Sequence, residues 1–156
     1  MTPPPHSDRV FRAGLPADAR SIRSILVESN LCPPAVGDLE RATHSLIGEV
    51  LAFVAEENGQ IVGVLQWRNL GDEAEILDLA VDPAHRRKGC ATFLLQRFFQ
   101  HASQSPAKKI FLEVRESNAA AIALYQKAGL EICGRRPNYY RNPEENALVM
   151  TLLLQG

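Results

Sequence analysis

The sequence predicts an α+β fold, a central, mixed and mostly antiparallel sheet of about seven strands flanked by about four helices. Three observations lead there. Apolar runs of strand length alternate along the chain with stretches of helical spacing. Three of the early strands are joined by turns of hairpin length, which argues against a purely parallel sheet. The 156 residues are one domain's length and can bury roughly two-thirds of the unfolded surface.

Residues 1–7 are Pro-rich and polar and are expected to be disordered. Residues 10–13 suit a short first strand. Pro16 opens a helix with Ala19, Ile22, Ile25, Leu26 and Ser29 along one side. The run 30–38 (NLCPPAVGD) reads as a loop because Pro33-Pro34 forbids a helix, and a second helix follows at about 39–48. Residues 51–56 and 60–68 form strands around Asn58-Gly59, a strong hairpin signal. The next strand, 74–82, is closed by Asp82-Pro83, since proline lacks the donor N–H.

After Gly89, the residues Ala91, Leu94, Leu95, Phe98 and Ala102 recur at helical spacing, and 103–107 breaks that helix. Residues 108–115 are a strand. Ser117 or Asn118 then caps an alanine-rich helix through Ala128, with Gly129 at its left-handed end. Strands at 130–135 and 147–154 close the chain around a loop at 136–145. No repeat or internal boundary appears, so residues 1–156 are read as one domain.

Bulk properties narrow the function. A net charge of -1 gives no support to nucleic-acid binding. No apolar run approaches the ~20 residues of a bilayer span, and the N-terminus lacks the apolar core of a signal peptide. Cys32, Cys90 and Cys133 match no zinc spacing and suit a reducing compartment. A cytoplasmic protein with no metal site, no disulfide framework and no membrane partner is expected.

The chemistry begins at residues 75–92. A strand is followed by Arg86, Arg87 and Lys88, then by Gly89, Cys90, Ala91 and Thr92 at a helix start. Strand, basic glycine turn and helix together gather backbone N–H groups and a helix dipole around a phosphate. Gly-Lys-Ser/Thr is absent, and only one glycine of the dinucleotide fingerprint is present. Cys90 is open to two readings, an activated thiolate at a helix N-terminus or a filler residue.

Downstream, Ile110, Leu112 and Val114 share one face of a strand, and Phe111, Glu113 and Arg115 the other. A carboxylate in a covered strand loses hydration, which suits a general base near neutral pH. A structural pair with Arg115 or a cross-strand base is the alternative. Asn118 and Tyr125 are nearly two turns apart on one helix face, about 10 Å along the axis, so one ligand can meet both. Equally, Asn118 can be a cap and Tyr125 a core aromatic.

Together these residues resemble the Gcn5-related N-acetyltransferase (GNAT) family. Its Q/R-x-x-G-x-G/A signature is matched by Arg86-Arg87-Lys88-Gly89-Cys90-Ala91, after the strand ending Leu79-Ala80-Val81. The segment LEVRESNAAAIALYQKAGL (112–130), with RRPNYY (135–140), is similar to the branch that acetylates the N-terminal alanine of ribosomal protein bS18. The resemblance implies a splayed sheet and acetyl-CoA as acetyl donor. It implies that Leu79–Val81 and Arg86–Thr92 hold the donor with Asn118, that Glu113 is the base and that Tyr125 is the acid. Asp78, on the side opposite Leu77, Leu79 and Val81, is the rival base. Tyr139 and Tyr140 either wall the acceptor site or pack a hairpin end. The branch's aromatic Pro-Trp-Ser segment is missing from 30–38. The implied partner is a protein or peptide N-terminus. Rival functions are transfer to a small amine, amino acid or lysine, and non-catalytic acyl-CoA sensing. A monomer or weak dimer is expected.

Overall fold

The computed structural model describes residues 8–29 and 50–155. The expected disordered start, the loop at 30–38 with Cys32, and the helix at 39–48 lie outside the described residues. The strands are β1 (Arg9–Ala13), β2 (Val50–Glu57), β3 (Gln60–Asn69), β4 (Glu73–Val81), β5 (Lys109–Arg115), β6 (Glu131–Tyr140) and β7 (Glu145–Leu153). The helices among the described residues are α1 (Ala19–Glu28), α2 (Cys90–Ser103) and α3 (Ala119–Lys127). One sheet runs in the order β1-β2-β3-β4-β5-β7-β6. Only β4–β5 pairs in parallel; every other neighbouring pair is antiparallel. The predicted mixed α/β class holds.

Local chemistry explains the early elements. Asn58 (φ 50°) and Gly59 (φ 77°) both take left-handed conformations, the geometry a two-residue hairpin demands. Pro16 starts a 3-10 turn (Pro16–Asp18), and α1 begins only at Ala19. Ala19, Ile22, Ile25 and Leu26 of α1 pack on Ala52, Val54, Val64 and Ala80 on one sheet face. On the other face, Cys90, Leu94, Leu95, Phe98 and Ala102 of α2 join Leu65, Trp67, Ile76, Ile110, Leu112 and Met150. Phe98 is fully buried, with its ring centroid 5.2 Å from Trp67 and 6.2 Å from Phe53. Phe98→Ala is expected to cost about 3–5 kcal/mol of stability, read as a lowered midpoint in denaturant unfolding.

Two differences from the sequence reading matter for the site. First, the expected loop at 136–145 is mostly strand, since β6 continues to Tyr140 and only a tight turn precedes Glu145. Its register against β7 shifts twice, and Asn138 has φ 53°, so no regular alternation marked it. Second, β4 carries a bulge: Trp67 pairs with Ile76 but Gln66 pairs with Asp78, leaving Leu77 over. Ala74 and Ile76 therefore share a core face with Leu79 and Val81, while Glu75, Asp78 and Ala80 take the opposite face. Asp78 does lie opposite Leu79 and Val81; Leu77 is the bulged residue rather than a member of that face.

The bulge lies beside the sheet's weak seam. Parallel pairing of β4 with β5 extends over Glu73–Lys109, Ala74–Ile110 and Glu75–Phe111, and then stops. A bulge increases local strand twist, which turns the rest of β4 away from β5. From Ile76 to Val81 the β5-facing edge of β4 is thus left without a strand partner.

Candidate active site

The unpaired stretch of β4 ends at a cleft of about 680 Å³. Leu79, Ala80 and Val81 of β4 line it, as do Arg86, Arg87, Gly89, Cys90, Ala91 and Thr92 around the start of α2. Asn118, Ala121 and Leu124 close it from α3. All but Lys88 of the residues assigned to the donor from sequence border this one cleft. Glu28 and Ser29, at the end of α1, line it as well and were not anticipated.

The loop is shaped for an anion. Arg87 (φ 61°) and Gly89 (φ 77°) are left-handed on either side of Lys88, and Gly89 is the N-cap of α2 with no side-chain cap. Such alternation turns successive N–H groups toward one side, and an uncapped helix start leaves its first amides for a ligand. Arg86 braces the loop, donating from Nε to Val81 O at 3.1 Å and from Nη2 to Ser29 Oγ at 3.3 Å. Asn118 Oδ1 accepts from Ala121 N at 3.1 Å, so it caps α3 while bordering the cleft. Cys90 resolves toward the filler reading. Its thiol packs against Gly63, where an added Cβ would come within 2.7 Å of Sγ, and burial pushes it up to about 11. A helix N-terminus does not make it a thiolate at neutral pH.

The second cluster sits across the β4–β5 seam. Glu113 projects from the face opposite Ile110, Leu112 and Val114, as alternation predicted. Its side chain is 12% exposed, and Oε1 lies 3.2 Å from Arg136 Nε. Tyr139 donates its hydroxyl to Glu113 Oε2 at 3.2 Å. The ion pair is therefore with Arg136, not Arg115. Arg115 donates to the carbonyls of Pro143 and Arg141 and stacks over Tyr140, with Cζ 4.4 Å from the ring centroid. A carboxylate has about four lone-pair sites, so Glu113 retains capacity for a further donor.

Tyr125 is the buried residue of α3 and belongs to the core cluster on the other sheet face. Burial, then the Asp78 carboxylate and Tyr140, push its hydroxyl up to about 12. The phenol thus keeps its proton at neutral pH. Tyr140 is likewise pushed up to about 12, chiefly by burial, and packs edge-on to Tyr139 with centroids 5.0 Å apart. Glu113, Tyr139, Tyr140, Tyr125 and Asp78 are therefore electrostatic neighbours, drawn from both sheet faces to the gap between the strands. Asp78 is raised by burial and has no hydrogen bond or ion pair among the described residues. Glu75 is also raised, by burial first, with Arg68 opposing and Glu113 adding. Sequence reasoning missed Arg136 and Glu75, since nothing local links either to Glu113.

A proton-holding phenol and a carboxylate suit proton transfer, and the uncapped start of α2, which borders the cleft, suits an anion. The model described as the acetyltransferase (GNAT) family matches residues 21–130. Ribosomal protein bS18-alanine N-acetyltransferase of Escherichia coli strain K12 is 36% identical over 104 residues, 65% of this chain and 70% of that protein. The crystal structure of the ribosomal-protein-S18-alanine N-acetyltransferase from Escherichia coli superposes with a TM-score of 0.84 at 27% identity, covering 95% of each chain. A spermidine N-acetyltransferase mutant from Vibrio cholerae reaches 0.82 at 21% identity over 94% of each chain, a likeness of fold alone. The chain belongs to the GNAT family and is an acetyl-transferring enzyme. Enzymes of this family take the acetyl group from acetyl-CoA.

Proposed function

We propose that the protein transfers the acetyl group of acetyl-CoA to a protein N-terminal α-amine, with the N-terminal alanine of ribosomal protein bS18 as its acceptor. The observation that carries this reading is the electrostatic cluster of Glu113, Tyr125, Tyr139 and Tyr140, with Asn118, the cap of the helix that carries Tyr125, bordering the cleft at the open start of α2. The relatives that act on bS18 support the choice of acceptor.

The cleft suits the donor. The uncapped amides of α2 and the left-handed Arg87 and Gly89 offer N–H groups to a pyrophosphate, and the helix dipole adds roughly 0.3–1 kcal/mol per charge. The unpaired edge of β4 from Ile76 to Val81 offers backbone N–H and C=O groups to an extended amide-bearing arm. When bound, acetyl-CoA supplies an activated thioester. Glu113 removes a proton from the incoming ammonium, directly or through water. A backbone N–H around Leu79–Val81 donates to the carbonyl oxygen, and Tyr125 delivers a proton toward the departing sulfur.

An α-amine has pKa ~8 against ~10.4 for lysine, so neutralising it at pH 7 costs about 3 kcal/mol less. One carboxylate suffices for that smaller task. Tyr139 and Tyr140 wall the acceptor side, Tyr139 through its bond to Glu113. Asp78 remains a second reading for the base, favoured by its partial burial with no hydrogen bond or ion pair among the described residues.

Thiol release from acetyl-CoA tests the reading with a bS18 N-terminal hexapeptide, free amino acids and spermidine in parallel. Release with the peptide alone is the expected result. Release with small amines instead moves the acceptor, and donor binding without release under any acceptor marks a sensor.

A further inference from the structure

We infer that Arg9, on the edge strand β1, is a positioning residue that aims the phosphate-binding amide of Gly89 into the cleft; this rests on the donor reading above.

Arg9 is an unusual residue for an edge strand. Its side chain is 2% exposed. It pairs across the strands with Glu57, with Nε 2.7 Å and Nη2 2.6 Å from the same Oε1. Its guanidinium lies over the Phe93 ring of α2, with Cζ 5.4 Å from the centroid. A buried guanidinium whose charge is met by one carboxylate oxygen and one ring face is locked in orientation. Its remaining reach is spent on Lys88, whose carbonyl accepts from Nη2 at 3.3 Å across 79 positions of sequence.

Lys88 is the one member of the signature that does not border the cleft. Its carbonyl and the N–H of Gly89 belong to a single planar trans peptide, so they point in opposite directions. Holding the Lys88 oxygen toward β1 therefore holds the Gly89 N–H toward the other side, where Gly89 lines the cleft. Left-handed Arg87 and Gly89 stand on either side of Lys88, and Gly89 itself bounds that peptide. For Arg87, which is not a glycine, that conformation is costly and persists only where its surroundings fix it. Arg9 is a fixing contact from behind the loop. It adds little net field at the cleft, because Glu57 neutralises it at close range.

Two donors separate this role from a merely structural one: acetyl-CoA, and S-acetylpantetheine, which lacks the pyrophosphate. For Arg9→Met, the KM for acetyl-CoA is expected to rise about tenfold, kcat to stay near wild type, and the KM for S-acetylpantetheine to be unchanged. Glu57→Gln, which retains Arg9 and an oxygen acceptor, is expected to keep the wild-type KM. If Arg9→Met does not fold, Arg9→Lys gives the same split, since the lysine ammonium ends one bond short of Nη2, the nitrogen that reaches the Lys88 carbonyl. Equal rises on both donors, or no rise on acetyl-CoA, overturn the proposal. A wild-type enzyme with equal KM for the two donors overturns the pyrophosphate reading itself, and that failure is visible before any variant is made.

Discussion

Tyr125→Phe is expected to lower kcat by about 10²–10⁴-fold while leaving the KM for acetyl-CoA near wild type. The substitution removes one oxygen from a buried side chain and keeps the ring that fills the core, so the fold and the cleft should survive. What goes is the only buried proton donor that α3 presents to the gap. A raised acid keeps its proton at every pH below its pKa. With Tyr125 pushed up to about 12, its acid form persists through the neutral range, and it contributes no alkaline limb to kcat below about pH 10. A free thiol ionises near ~8.5, so complete transfer from such a phenol would be uphill in water. The same desolvation also raises a sulfur leaving into that space, which narrows the mismatch. Steady-state kinetics across pH checks both points. Wild-type kcat in Tyr125→Phe, or an alkaline limb below pH 10 that disappears in it, overturns the assignment.

Glu113→Gln should lower kcat by about 10²–10³-fold at pH 7. Glutamine has nearly the same shape and still accepts from Tyr139, but it cannot take a proton and forfeits the ion pair with Arg136. The deficit should shrink as pH rises past the acceptor's own pKa of ~8, because more of the amine then arrives neutral and needs no base. A deficit that is constant across that range points to a structural role for Glu113. Asp78→Asn run alongside decides the rival assignment: if Asp78 is the base, the pH-dependent deficit appears there and Glu113→Gln stays near wild type. The geometry gives Asp78 a real claim. It is half-buried and has no hydrogen bond or ion pair among the described residues, whereas Glu113 already holds a guanidinium and a phenol.

Much of this was legible in the residues. The hairpin at Asn58-Gly59 and the buried face of α2 follow from local rules, left-handed turn chemistry and a 3.6-residue period; both are present, with Cys90 rather than Ala91 as the first buried position of the helix. The alternation through 108–115 placed Glu113 on the correct face for the same reason. The turn at 86–92 and the helix start after it were legible because they reside in backbone conformation that glycine advertises. The far end of β6 was not, because Pro137, left-handed Asn138 and two register shifts erase any two-residue period there. The bulge at Leu77 did leave a trace: apolar positions run Ala74, Ile76, then Leu79, Val81, a change of phase within one strand. Long-range partners were invisible. Nothing near Glu113 announces Arg136, and nothing near Arg9 announces Lys88. Those pairings exist only once the sheet has brought distant strands together.

The short β4–β5 seam has a further consequence, for the energetics of the whole domain. A strand edge in the middle of a sheet is a row of backbone groups that water must satisfy in place of a neighbour. Four strands on one side and three on the other are joined there by only the pairs Glu73–Lys109, Ala74–Ile110 and Glu75–Phe111. A donor whose amides pair with β4 would act as a missing strand, and its binding free energy would be added to that of folding. Tolerance of heat and denaturant would then rise with acetyl-CoA concentration, so that the protein is sturdiest when its donor is abundant.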